Sequence, residues 1–84
     1  MVEKIEIKYN TNQIGGEVVN GLMFQTKEWL EKHYTVGAYT MIQFDSKNID
    51  KFLELVKEVP ELETCIYIRK FDDKTGKTIE LIQN

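Results

Sequence analysis

Residues 16–29 read GEVVNGLMFQTKEW, with Asn20-Gly21 set between Val18-Val19 and Leu22-Met23-Phe24. Asn-Gly between apolar residues is the strongest short-range mark of a two-residue β-hairpin. The same stretch also spaces its apolar residues as a helix does. On a wheel with a hundred-degree step, Val18, Val19, Leu22, Met23, Thr26, Trp29, Leu30, His33 and Tyr34 share one arc of roughly 160°. Only Phe24 falls on the polar side. Read as strands, Val18-Val19 and Leu22-Met23-Phe24 are blocks and do not alternate. A glycine inside a helix costs about 1 kcal/mol relative to alanine. A mispaired apolar face costs about 1.5–3 kcal/mol for each large side chain left in water. The comparison predicts one amphipathic helix over 17–34, closed by Gly37, with the hairpin as the alternative.

Working outward, residues 2–9 (VEKIEIKY) alternate, with Ile5, Ile7 and Tyr9 on one face and Lys4, Glu6 and Lys8 on the other. This is the pattern of a half-buried strand. Residues 10–16 are turn formers. Residues 38–45 (AYTMIQFD) predict a second strand. Ile49, Phe52, Leu53, Val56 and Val59 make the stripe of a second helix, which Pro60 stops. Residues 63–71 and 77–83 predict two strands joined by DDKTG, whose glycine ends a hairpin loop. The expected order is β-α-β-α-β-β. Two strand–helix–strand crossovers normally join parallel strands. The expectation is therefore an α+β, two-layer sandwich over residues 1–84, one domain, with a four-stranded mixed sheet and both helices on one face.

Composition narrows the function. The chain has 84 residues, 42% of them hydrophobic and 30% charged, which suits a small folded domain. MVEKIEIK holds no apolar run of the signal-peptide kind, and no segment has the length of a membrane span. Cys65 is the only cysteine, so no internal disulfide is expected, and a reducing cytoplasm is the natural setting. Net charge is −3 and Arg69 is the only arginine among 11 basic residues, which argues against sequence-specific DNA readout. The Lys, Ile and Asn bias points to an AT-rich genome, a low-GC bacterium or its phage.

Few residues read as chemistry. Gly76-Lys77-Thr78 resembles the end of a phosphate-binding loop, but the required earlier glycine is Phe71, and a strand follows. His33 and Cys65 are single copies without a visible partner, so neither zinc ligation nor a nucleophile–base pair is expected. Asp50, Glu54 and Glu58 recur along one helix face and read as solvated charge. No cofactor or metal is expected, and no catalytic residue is assigned.

The informative feature is the sheet face away from the helices. If Ile5, Ile7, Ile42, Phe44, Ile66, Ile68, Ile79 and Leu81 point at the helices, alternation sends Tyr39, Met41, Cys65, Tyr67, Arg69, Phe71 and Ile82 outward. An open face of that composition reads as a contact surface. Phe24 adds a smaller, separate contact. The leading expectation is a non-catalytic protein-binding module, an adaptor or inhibitor acting through Tyr39, Met41, Tyr67, Arg69, Phe71, Ile82 and Phe24, as a homodimer. The alternative is a single-stranded RNA- or DNA-binding sheet that stacks bases on Tyr39, Tyr67 and Phe71. A small enzyme using Cys65 or His33 is the third reading.

Overall fold

The computed structural model describes residues 2–83. The elements are β1 (Glu3–Asn10), α1 (Gly16–Gln25), β2 (Leu30–Val36), β3 (Tyr39–Asp45), α2 (Ile49–Glu58), a 3-10 turn (Pro60–Thr64), β4 (Tyr67–Asp72) and β5 (Thr78–Gln83). Asn20-Gly21 lies within α1, as the apolar spacing requires. The helix, however, stops at Gln25 and not at Tyr34. Thr26 is fully buried at the turn, and its hydroxyl donates to the Leu22 carbonyl at 2.7 Å. The Thr26 carbonyl then accepts from the amides of Trp29 (2.8 Å) and Leu30 (2.9 Å), which swings the chain into β2. Beyond that point Tyr34, Thr35 and Val36 are β-formers.

The expected four-stranded mixed sheet is thereby replaced. The sheet has five strands in the order β2-β3-β1-β4-β5, and every neighbouring pair is antiparallel. The physical reason is the turn at Gly37-Ala38. Val36 pairs with Tyr39, so only two residues close the β2–β3 hairpin. Gly37 has φ 61° and no non-glycine among the described residues, Ala38 included, has positive φ, which makes the turn type II′. A strand that reverses so tightly can only run antiparallel to its neighbour, and β3 slots between β2 and β1. Each helix then crosses over one intervening strand: β1-α1-β2 straddles β3, and β3-α2-β4 straddles β1. This is the split β-α-β arrangement of ferredoxin-like sheets, extended by β5.

Both helices cover the same face. Val19 and Leu22 of α1 and Phe52 of α2 join Ile5, Ile7, Tyr9, Ile42, Phe44 and Ile68 in one core, with the Phe44 and Phe52 rings 5.5 Å apart. The C-terminal strands depart from simple alternation. Residues 60–64 form a 3-10 turn, so β4 begins at Tyr67 and Cys65, not Ile66, is buried against the core. In β5 the register jumps from Ile68–Gln83 to Arg69–Leu81 and skips Ile82. Ile82 therefore packs on the core, while Leu81 pairs with Arg69 and Ile79 is exposed. The opposite placement of Ile82, Leu81, Ile79, Ile66 and Cys65, expected from strict alternation, is corrected.

Two glycine substitutions test this reading by urea unfolding. A Cβ at Gly21 meets nothing within 4 Å, and the residue is helical. Gly21→Ala should stabilise the protein by about 0.5–1 kcal/mol. Gly37→Ala meets no clash either, but at its positive φ it should destabilise by about 1–2 kcal/mol. Equal effects of the two variants would contradict the assignment of one to a helix and the other to a turn.

Candidate functional site: the uncovered sheet face

The helix-free face is organised around a buried charge. Glu6 sits at the centre of β1, the middle strand, and is 3% exposed. It lies between Gln43 on β3 and Arg69 on β4. Gln43 Nε2 donates to Oε2 at 2.6 Å, the Tyr67 hydroxyl donates to Oε1 at 2.5 Å, and Arg69 Nε donates to Oε1 at 2.9 Å. Arg69 Nη1 also donates to the Gly76 carbonyl and the Thr78 hydroxyl, both at 2.9 Å. No buried side-chain polar atom among the described residues lacks a partner. The buried polar atoms of the network are thus all paired.

Cations lie over the aromatic rings around this centre. The Lys8 ammonium is 4.6 Å from the Tyr39 ring and 5.8 Å from the Tyr67 ring. The Arg69 guanidinium lies 5.6 Å from the Tyr67 ring and 4.6 Å from the Phe71 ring. Phe71 is buried beneath it. At the β2 end, Lys4 reaches across the sheet to Glu31.

Of the residues expected on a contact face, Tyr39, Met41, Tyr67, Arg69 and Phe71 do share this face. Only Tyr39, at 42% exposure, is strongly accessible among them. Ile82 is on the core side, and Phe24, 69% exposed with Lys27 over its ring, belongs to the helix layer on the opposite side. The structure adds two residues. Tyr34 pairs with Met41 and Val36 pairs with Tyr39, so four apolar side chains adjoin at the β2–β3 corner. Their signal in the sequence is the alternation through Tyr34-Thr35-Val36 before Gly37.

The remaining candidates do not converge. Cys65 is buried, and burial pushes its thiol above the ordinary value, away from a reactive thiolate. His33 is exposed on the edge strand β2. A groove of about 380 Å³ between the end of α1 and α2 is lined by Gln25, Lys27, Glu28, Trp29, Asn48, Lys51 and Leu55, with neither of them in it. Among the described residues no cluster of His, Cys, Asp or Glu is suited to a metal ion, and no helix is long and apolar enough to cross a membrane. Comparison of the chain with protein-family models, curated proteins and solved structures finds no match.

The Glu6 network makes stability depend on pH. Burial alone would raise the Glu6 pKa, but the hydrogen bonds from Tyr67, Gln43 and Arg69 prevail and hold it below the usual 4.5. Its contribution is present in full above 4.5 and is lost as pH falls through the folded value. Tyr67, desolvated and hydrogen-bonded to Glu6, is pushed up from 10.0 to about 12, so its contribution is lost as pH rises between those values. Glu6→Gln faces Tyr67 and Arg69 with a neutral amide. It should cost about 2–4 kcal/mol at neutral pH and flatten the acid limb of the stability profile. An unchanged acid limb in urea titrations of this variant would remove Glu6 from the account.

Proposed function

We propose that the protein is a non-catalytic binding module whose contact surface is the apolar corner formed by Tyr34, Val36, Tyr39 and Met41. The observation that carries this reading is their adjacency on a face that no helix covers. The centre of that face offers a partner little. Its charges and hydroxyls are already engaged by Glu6, so docking there would break bonds before making new ones. The corner has accessible apolar area on Tyr34, Val36 and Tyr39, and the hydroxyl bonds of Thr35 and Thr40 lie on the other side of the sheet, so docking there breaks none of them. Such patches mark protein contacts. An adaptor or inhibitor acting on a protein partner in the cytoplasm fits this surface.

Nucleic-acid binding is the weaker reading. Base stacking needs free ring faces, and Lys8 and Arg69 lie over Tyr39, Tyr67 and Phe71. The same contacts hold the cations that would steer phosphates, in a chain of net charge −3. An enzyme built on Cys65 or His33 would need to bring together a core thiol and an edge-strand imidazole.

Tyr39→Glu separates these readings. Tyr39 is exposed and lies outside the core, so the variant should still fold and unfold cooperatively. A charge forced into an apolar contact loses hydration, and the tyrosine's burial, about 1.5–3 kcal/mol, is forfeited. Capture of a protein partner from lysate should therefore weaken at least about tenfold. Capture that is indifferent to Tyr39→Glu, or that disappears with nuclease or with added salt, would overturn the proposal.

A further inference from the structure

We infer that the outer edge of this corner is occupied by a second copy of the chain, joined through β2 so that the two sheets become one. The inference rests on the corner being a contact surface and adds the identity of the partner and the register of pairing. β2 and β5 end the sheet, and a terminal strand leaves outward N–H and C=O groups without a sheet partner. The two edges differ. β5 shifts register twice within its six residues, and such irregularities twist an edge and blunt it. β2 shifts only between Leu30 and Lys32, so 32–36 is a regular edge with every residue exposed.

Hairpin geometry identifies the free groups. The pair closing a two-residue hairpin, Val36–Tyr39, is a hydrogen-bonded pair. Bonded and non-bonded pairs alternate along an antiparallel ladder. Tyr34 and Lys32 therefore bond inward to β3, while His33 and Thr35 present N–H and C=O outward. A two-fold dimer joined by antiparallel edges has its axis perpendicular to the sheet, so facing residues lie on the same face. Centring the axis on the regular stretch sets Tyr34 opposite Tyr34, Lys32 opposite Val36 and His33 opposite Thr35. In this register His33 and Thr35 are the residues that exchange backbone hydrogen bonds, which are the two whose groups are free. A register shifted toward Leu30 runs into the bulge.

Charge agrees with this register. No two like charges face each other: Lys32 meets Val36, and Glu31 is already paired with Lys4 within its own chain. On the uncovered face the two corners merge across the axis, with the paired Tyr34 rings at the seam and Val36, Tyr39 and Met41 of each copy beside them.

Sedimentation of the intact protein over a dilution series tests the inference, together with cysteine trapping in a Cys65→Ala background. Wild type should dissociate from dimer to monomer on dilution. Thr35→Pro, which removes an outward N–H and leaves the β2–β3 ladder intact, should sediment as monomer throughout. Tyr34→Cys should form a disulfide-linked dimer on mild oxidation, because facing non-bonded pairs are the close ones, and Lys32→Cys should not. The trapping result decides the matter if Thr35→Pro fails to fold. A wild type that is monomeric at every concentration, or linkage of Lys32→Cys as readily as Tyr34→Cys, would overturn the inference. Monomeric wild type with partner capture that is still sensitive to Tyr39→Glu removes the second copy and leaves the corner reading standing. Loss of that sensitivity removes the corner reading itself.

Discussion

A carboxylate buried in the middle of a sheet face constrains everything around it. Glu6 on the central strand must be surrounded by donors, because an ionised group without partners in that position costs several kcal/mol. Gln43 from one neighbouring strand and Tyr67 and Arg69 from the other supply them. The requirement ties β3, β1 and β4 into one register: a slip of one residue would move Glu6 into the core and Ile5 or Ile7 into water. It also prevents the uncovered face from acting as a second apolar core. With the centre closed, three accessible apolar side chains of this face, Tyr34, Val36 and Tyr39, adjoin at the β2–β3 corner, while Leu81 stands at the opposite edge.

Much of the layout was legible from periodicity. The alternation of Ile5, Ile7 and Tyr9, the stripe of α2 and the glycine-ended loop before β5 all appear as elements in the structure. The stretch 26–36 was not, because amphipathic helices and short strands share local apolar spacing. Nothing in Trp29, Leu30, His33 or Tyr34 as a set distinguishes a helical arc from the tail of a turn followed by a strand. The decision lies in contacts that a wheel does not contain: the buried Thr26 turn, and the pairing of Val36 with Tyr39 around Gly37. One missed strand then altered the sheet from mixed to antiparallel. Bulges in β5 had a similar effect on a smaller scale, exchanging the roles of Leu81 and Ile82.

The candidate site was legible in part for the same reason. Alternation placed Tyr39, Met41, Tyr67, Arg69 and Phe71 on one face, and they share it. Alternation carries no information about which of them remain accessible once Lys8 and Arg69 settle over the rings and Glu6 draws in the hydroxyl and guanidinium. Tyr34 and Val36 were hidden by the helical reading of their segment. The sequence signal for Glu6 was the placement of a single acid between Ile5 and Ile7, a pattern that any half-exposed strand shows.

The central claim is that the uncovered face has a self-satisfied polar centre and a contact-forming corner. Amide and side-chain NMR shifts followed as protein concentration is raised test it directly. The account predicts concentration-dependent shifts at residues 32–36, Tyr39 and Met41, with the signals of Glu6, Tyr67 and Arg69 unmoved. Shifts centred on Glu6 and Arg69, or on the groove beside Trp29, would contradict it.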